Sequence, residues 1–186
     1  MLFCLFWLFC CFILLLSFTD IICFYGWGYK MIKTNAMRIL DKSKIEYKTY
    51  EYDSSKAISG LEVAQSLNQD PKYVYKTLVT VAKSKEHYVF LVPVAEELDL
   101  KKAALAVGEK SVEMLKQKDL FGLTGYVHGG CSPLGMKKIF TTVIDISAQN
   151  IPYIIFSAGK IGYQIKMNKD DLISLLNLEM ADIEKE

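Results

Sequence analysis

The chain has 186 residues, 52% of them hydrophobic and 23% charged, with a formal net charge of +1. That length fits one domain plus a short extension, and the composition excludes an intrinsically disordered chain or a disulfide miniprotein without a core. A net charge this close to zero draws the protein globally to neither nucleic acid nor anionic lipid, so any such contact rests on a local patch.

Residues 1–30 are an apolar leader, and residues 1–29 contain a single charge, Asp20. Three readings compete. As a membrane anchor, residues 2–29 are long enough to cross the hydrocarbon layer only by burying Asp20. A secretory signal would begin with Lys or Arg and end in small residues at a cleavage site, and neither is present. The third reading puts the true start at Met31, with residues 31–186 as the domain and a cytoplasmic location; it is the expectation here, and the anchor reading would instead attach the protein to a membrane. Of the five cysteines only Cys131 lies beyond the leader, so no disulfide is expected within residues 31–186. His87 and His128 are the only histidines and no CxxC pair exists, so a structural zinc site with four Cys or His ligands is not expected.

From Met31 onward, Thr34 or Asn35 caps a helix carrying Met37, Leu40 and Ile45 at near-helical spacing. Residues 46–52 alternate charged and aromatic side chains, as a half-exposed strand does. Ser59 to Glu62 is a capping box and starts a second helix, to about Leu67. After the Asp70-Pro71 turn, residues 74–82 and 88–94 are two β-branched and aromatic runs joined by polar residues, which predicts a hairpin. Asp99 caps a helix over 100–107, and residues 111–118 are expected to form another. Residues 141–146, 153–157 and 163–167 read as strands, and Asn168 caps a last helix through Leu176. Helices and strands mix without regular alternation, so the fold class is α+β, a compact single domain around a mostly antiparallel or mixed sheet with surrounding helices.

Lys76 is the only charge in the run 74–81, on the strand face shared by Val74 and Leu78. Such a lysine either snorkels to an edge or points into a pocket that needs its ammonium. The stretch Gly129-Gly130-Cys131-Ser132-Pro133-Leu134-Gly135 is either a plain tight turn or a loop that aims several N–H groups at one oxygen-rich ligand. It matches neither a P-loop nor a nucleophile elbow. Cys131 with His128 as its base, or a triad of Ser132, His128 and Asp145, can be drawn, but Cys131 reads better as a small buried thiol. Lys101, Lys102, Lys110, Lys116, Lys118, Lys137 and Lys138 outnumber nearby carboxylates, which fits either a solvated face or a phosphate-binding surface.

Four stretches together resemble the YbaK/EbsC-type aminoacyl-tRNA deacylases, the Cys-tRNA(Pro) editing enzymes related to the insertion domain of prolyl-tRNA synthetases. They are Val74 to Leu78, Leu98 to Ala103, Gly125 to Lys138 and Ser157 to Gly162, in that order, and the similarity extends from about Lys33 to Ile183. The resemblance implies a hydrolase that removes a wrong amino acid from tRNA(Pro), with prolyl-tRNA synthetase as a possible partner and no cofactor. It implies Lys76, Tyr50 and Gly129 as the catalytic set and Gly130, Ser132, Pro133, Ser157 and Gly159 around the substrate, while the local basic surface puts Lys101, Lys102, Lys137 and Lys138 on the tRNA phosphates. It also implies that the cysteine substrate's own thiol attacks its carbonyl. Gln164 stands where some members carry an acidic residue, so no carboxylate role transfers there. Two alternatives remain: an Ala-tRNA(Pro) deacylase that uses water, and a non-catalytic aminoacyl-tRNA or protein-binding module on a membrane anchor.

Overall fold

The computed structural model describes residues 32–55 and 59–185, so the readings of residues 1–30 and of Met31 as the start lie outside the described residues. Thr34 Oγ accepts the Met37 N–H and opens α1 (Asn35–Lys42), which buries Ala36, Met37 and Leu40 in the main core. The helix stops short of Ile45 because Lys44 turns to φ 56°, and Ile45 packs partly buried against that core. The chain continues as β1 (Tyr47–Glu51). The capping box at α2 (Gly60–Ser66) forms as expected, with Glu62 N–H on Ser59 Oγ at 3.2 Å and Ser59 N–H on Glu62 Oε2 at 2.9 Å. A short 3-10 turn, Pro71–Tyr73, leads into the hairpin of β2 (Tyr75–Ala82) and β3 (His87–Pro93). Asp99 caps α3 (Leu100–Ala106) by accepting the N–H groups of Lys101 and Lys102.

The helix expected over 111–118 does not form. That stretch becomes β4 (Val112–Met114) and then α4 (Gln117–Thr124). The far end of β2 has an open edge, and β4 pairs with it from Thr80 to Ala82 while Val112 is buried in the second core cluster. Satisfying an existing edge outweighs the weak local preference of three residues for a helix. The remaining elements are β5 (Thr141–Asp145), a 3-10 turn over Ile146–Asn150, β6 (Tyr153–Ser157), β7 (Tyr163–Asn168), α5 (Lys169–Leu176) and β8 (Glu179–Ala181), of which β8 has no counterpart in the sequence reading.

The strands make two sheets, ordered β1-β7-β6 and β4-β2-β3-β5-β8. The first is antiparallel; in the second, β3, β5 and β8 run parallel and the rest antiparallel, so the α+β expectation with a mixed sheet holds. A parallel bridge between Val74 and Ile155 ties the start of β2 to β6. Val94 N–H bonds Val74 C=O and Ala82 N–H bonds Glu86 C=O, so even-numbered residues of β2 turn their backbone groups to β3 and odd-numbered ones to the other edge. On that other edge β4 begins only at Thr80, and Leu115 N–H takes Val79 C=O. The backbone of Thr77 is therefore left without a neighbouring strand, and a cleft opens there.

Candidate functional site

The cleft has a volume of about 410 Å³ and lies between the open half of β2, the β6–β7 end of the smaller sheet, α2 and the glycine loop. Lys76 lines it, half-buried, and has no hydrogen bond or ion pair among the described residues. Burial pulls its pKa below the usual lysine value, and the charges of Glu97 and Glu96 oppose that only in part. An ammonium in this position gains from an anionic or strongly polar ligand.

On the facing wall Gln164 of β7 pairs directly with Ser157 of β6 and with Tyr50 of β1. Directly opposed residues share a sheet face, so the three side chains form one row. Gln164 and Ser157 line the cleft; Tyr50 stands one strand farther out and is not among the lining residues. Tyr52 and Tyr163 are, with Tyr52 N–H bonded to Gly162 C=O at 2.9 Å and the Tyr163 hydroxyl donating to Glu51 Oε1 at 2.9 Å.

The glycine loop reaches the cleft in part. Gly129, at φ 79°, and His128 reach the cleft, whereas Gly130, Ser132, Pro133 and Gly159 do not line it. Ser132 is fully buried and its Oγ accepts the Leu134 N–H at 3.3 Å. Pro133 is buried as well. A Cβ on Gly130 would meet Ile161 N at 3.1 Å, and one on Gly159 would come within 2.7 Å of the Tyr126 ring. Gly130 and Gly159 are thus where the backbone packs closely against Ile161 and Tyr126. Cys131 does line the cleft, but burial pushes its thiol up to about 12, so it is not a thiolate at neutral pH. The triad does not assemble, since Asp145 lies outside the cleft and spends its carboxylate on the N–H groups of Ser147 and Ile183.

Two buried oxygens at the cleft have no partner: Thr77 Oγ1 and Gln164 Oε1. Thr77 escaped the sequence reading because a threonine in a β-branched run looks like any strand former. Gln164 entered it only as a departure from a family pattern. Both are legible only once β2 and β7 face each other.

The four lysines assigned to tRNA separate into two kinds. Lys102 pairs with Asp182, and Lys137 donates to Phe121 C=O and Gly122 C=O at 3.2 and 3.4 Å while covering the Phe121 ring, which neutralises the end of α4. Lys101 and Lys138 are exposed, and no side-chain hydrogen bond or ion pair holds them among the described residues. Among the described residues no three His, Cys, Asp or Glu side chains gather as metal ligands, and no helix is long and apolar enough to cross a membrane.

The aminoacyl-tRNA editing domain model matches residues 57–175. A relative from Enterococcus faecalis, EbsC, named as a candidate Cys-tRNA(Pro)/Cys-tRNA(Cys) deacylase, is 47% identical over 152 residues, covering 81% of this chain and 93% of the relative. Among solved structures, a candidate trans-editing enzyme for prolyl tRNA synthetase is similar with TM-score 0.72 at 23% identity, covering 83% of this chain and 99% of that one. A hypothetical protein matches with TM-score 0.75 at 16% identity, covering 82% and 100%. These two likenesses speak to the fold.

Proposed function

The chain belongs to the aminoacyl-tRNA editing domain family, and from that premise we propose that it is a trans-editing hydrolase that deacylates Cys-tRNA(Pro). The observation that carries this reading on the geometry is the unpartnered, half-buried ammonium of Lys76 on the wall of a cleft sized for an aminoacyl group.

An aminoacyl ester is already activated, so positioning and charge stabilisation can supply most of the acceleration. Lys76 meets the oxygen-rich end of the substrate, where phosphate, ribose and ester oxygens accept its protons. Gly129 offers backbone at the opposite side without a Cβ in the way. The nucleophile is the substrate's own thiol: its sulfur forms a bond to the ester carbonyl carbon, the bond from that carbon to the ribose oxygen breaks, and the thiol proton ends on the ribose hydroxyl. Water then opens the thiolactone to free cysteine. Cys131, held as a neutral thiol, takes no part. Lys101 and Lys138 are free to meet tRNA phosphates, a contact that Lys102 and Lys137 can make only by giving up their present partners.

The test is release of amino acid from tRNA(Pro) charged with Cys, Ser, Ala or Pro by the full chain. Cys should be released far faster than Ser, and Pro retained. Equal release of Ser and Cys would overturn the thiol step and leave a water-based hydrolase, and no release from any ester would overturn the deacylase reading.

A further inference from the structure

We infer that Gln164 and Thr77 form an acceptor pair for the free α-ammonium group of the aminoacyl ester, so that the cleft selects substrates with an unblocked amine. This rests on the deacylase reading. Buried side-chain oxygens and nitrogens without a partner occur on three described residues, and two of these, Thr77 and Gln164, line the same cleft; Gln69 does not. Gln164 is 6% exposed, and leaving such a polar atom unmet is costly, so a cleft lined by two of them and by Lys76 is built for something that brings hydrogen-bond donors.

The chemistry of the substrate identifies that donor. Lys76 can only donate, so it takes the ester, ribose or phosphate oxygens. The one group of an aminoacyl ester that carries donors and no acceptor is its α-ammonium, and it needs oxygens that are not already engaged. No Asp or Glu is among the described residues that line the cleft, so the unmet oxygens on its wall are neutral ones. A carboxylate in this position would itself be drawn to Lys76, whereas an amide and a hydroxyl do not compete for that ammonium. The terminal amide of Gln164 turns about a soft torsion, so its oxygen can be presented to the cleft when a donor arrives. Ser157 sits directly opposite Gln164 on β6, closing the same row.

The experiment compares kcat/KM of the full chain for Cys-tRNA(Pro) and N-acetyl-Cys-tRNA(Pro). The wild type should prefer the free amine by about tenfold or more. Gln164→Met keeps length and removes the acceptor; it should cost about tenfold on the free amine, change the acetylated ester little, and bring the ratio toward one. A steric exclusion of the acetyl group would persist in that variant, so an unchanged ratio overturns the inference. Thr77→Val should act in the same direction as Gln164→Met with a smaller effect. Both apolar variants should melt no lower than the wild type, since each removes an unmet oxygen. Equal turnover of the two esters by the wild type overturns the inference while leaving the deacylase standing; release from neither overturns the deacylase reading and this inference with it.

Discussion

Tyr75 and Lys76 are neighbours on β2, yet they border two opposite kinds of polar interior. The Tyr75 hydroxyl lies 3.0 Å from Ser147 Oγ, which donates to Glu184 Oε1, while Asp145 accepts the N–H groups of Ser147 at 2.8 Å and Ile183 at 3.0 Å. The same C-terminal segment bonds Asp99 N–H through Ile183 C=O and Glu97 C=O through Lys185 N–H, so it pins the turn before α3. Polar groups in that region have found their partners inside the chain. At the cleft, Lys76 Nζ, Thr77 Oγ1 and Gln164 Oε1 have found none. Where buried polar groups are matched internally they lock a segment in place; where they are left over, the matching group has to come from a ligand.

The sharpest way to break this contrast is at Lys76. Lys76→Ala should lower deacylation of Cys-tRNA(Pro) by about a thousandfold, the scale on which loss of a positioned charge at a reacting ester is felt, with stability unchanged or slightly higher. Single-turnover kinetics together with thermal unfolding check both halves, and near-normal turnover would remove Lys76 from the site. In the wild type the activity should fall as pH rises through the lowered pKa of Lys76, below the usual lysine value of 10.5.

On the matched side the expected loss is of stability. Asp145→Ala leaves the Ser147 and Ile183 N–H groups unmet and should cost about 3 kcal/mol in denaturant unfolding. A loss well under 1 kcal/mol would mean that the C-terminal segment is held mainly by the packing of Ile183, which is fully buried.

A smaller effect comes from Glu184. Burial, followed by the nearby charge of Asp145, raises its pKa to about 7 from an ordinary 4.5. The folded state therefore holds a proton that the unfolded state gives up at lower pH. The resulting stabilisation is fully present below about pH 4.5 and is lost as pH rises through about 7. Glu184→Gln should flatten the fall in stability between pH 5 and pH 8, as read from urea midpoints at the two pH values. An identical slope in the variant would assign the pH dependence to other groups.

The smallest effect belongs to Cys131. Cys131→Ala should keep activity within roughly twofold, because a thiol held at about 12 supplies no thiolate. A large loss in kcat with an intact fold would return Cys131 to the reaction.

Short-range chemistry alone determined a good part of this molecule. The caps at Thr34, Ser59, Asp99 and Asn168 form, because each needs only a side chain and a backbone N–H two or three residues away. The β2–β3 hairpin follows from two β-branched runs with a polar turn between them, and Lys76 stood out as the one charge inside such a run. The tertiary structure decided the rest. Residues 112–114 are too few to carry a period, and they become a strand because β2, some thirty residues earlier, leaves an edge to fill. Lys102 and Lys137 look alike with Lys101 and Lys138 in sequence, and only folding gives the first two an acidic or carbonyl partner. The row of Tyr50, Gln164 and Ser157 joins β1 to the consecutive strands β6 and β7 much later in the chain, so its meaning depends on register across the sheet, which no local pattern encodes.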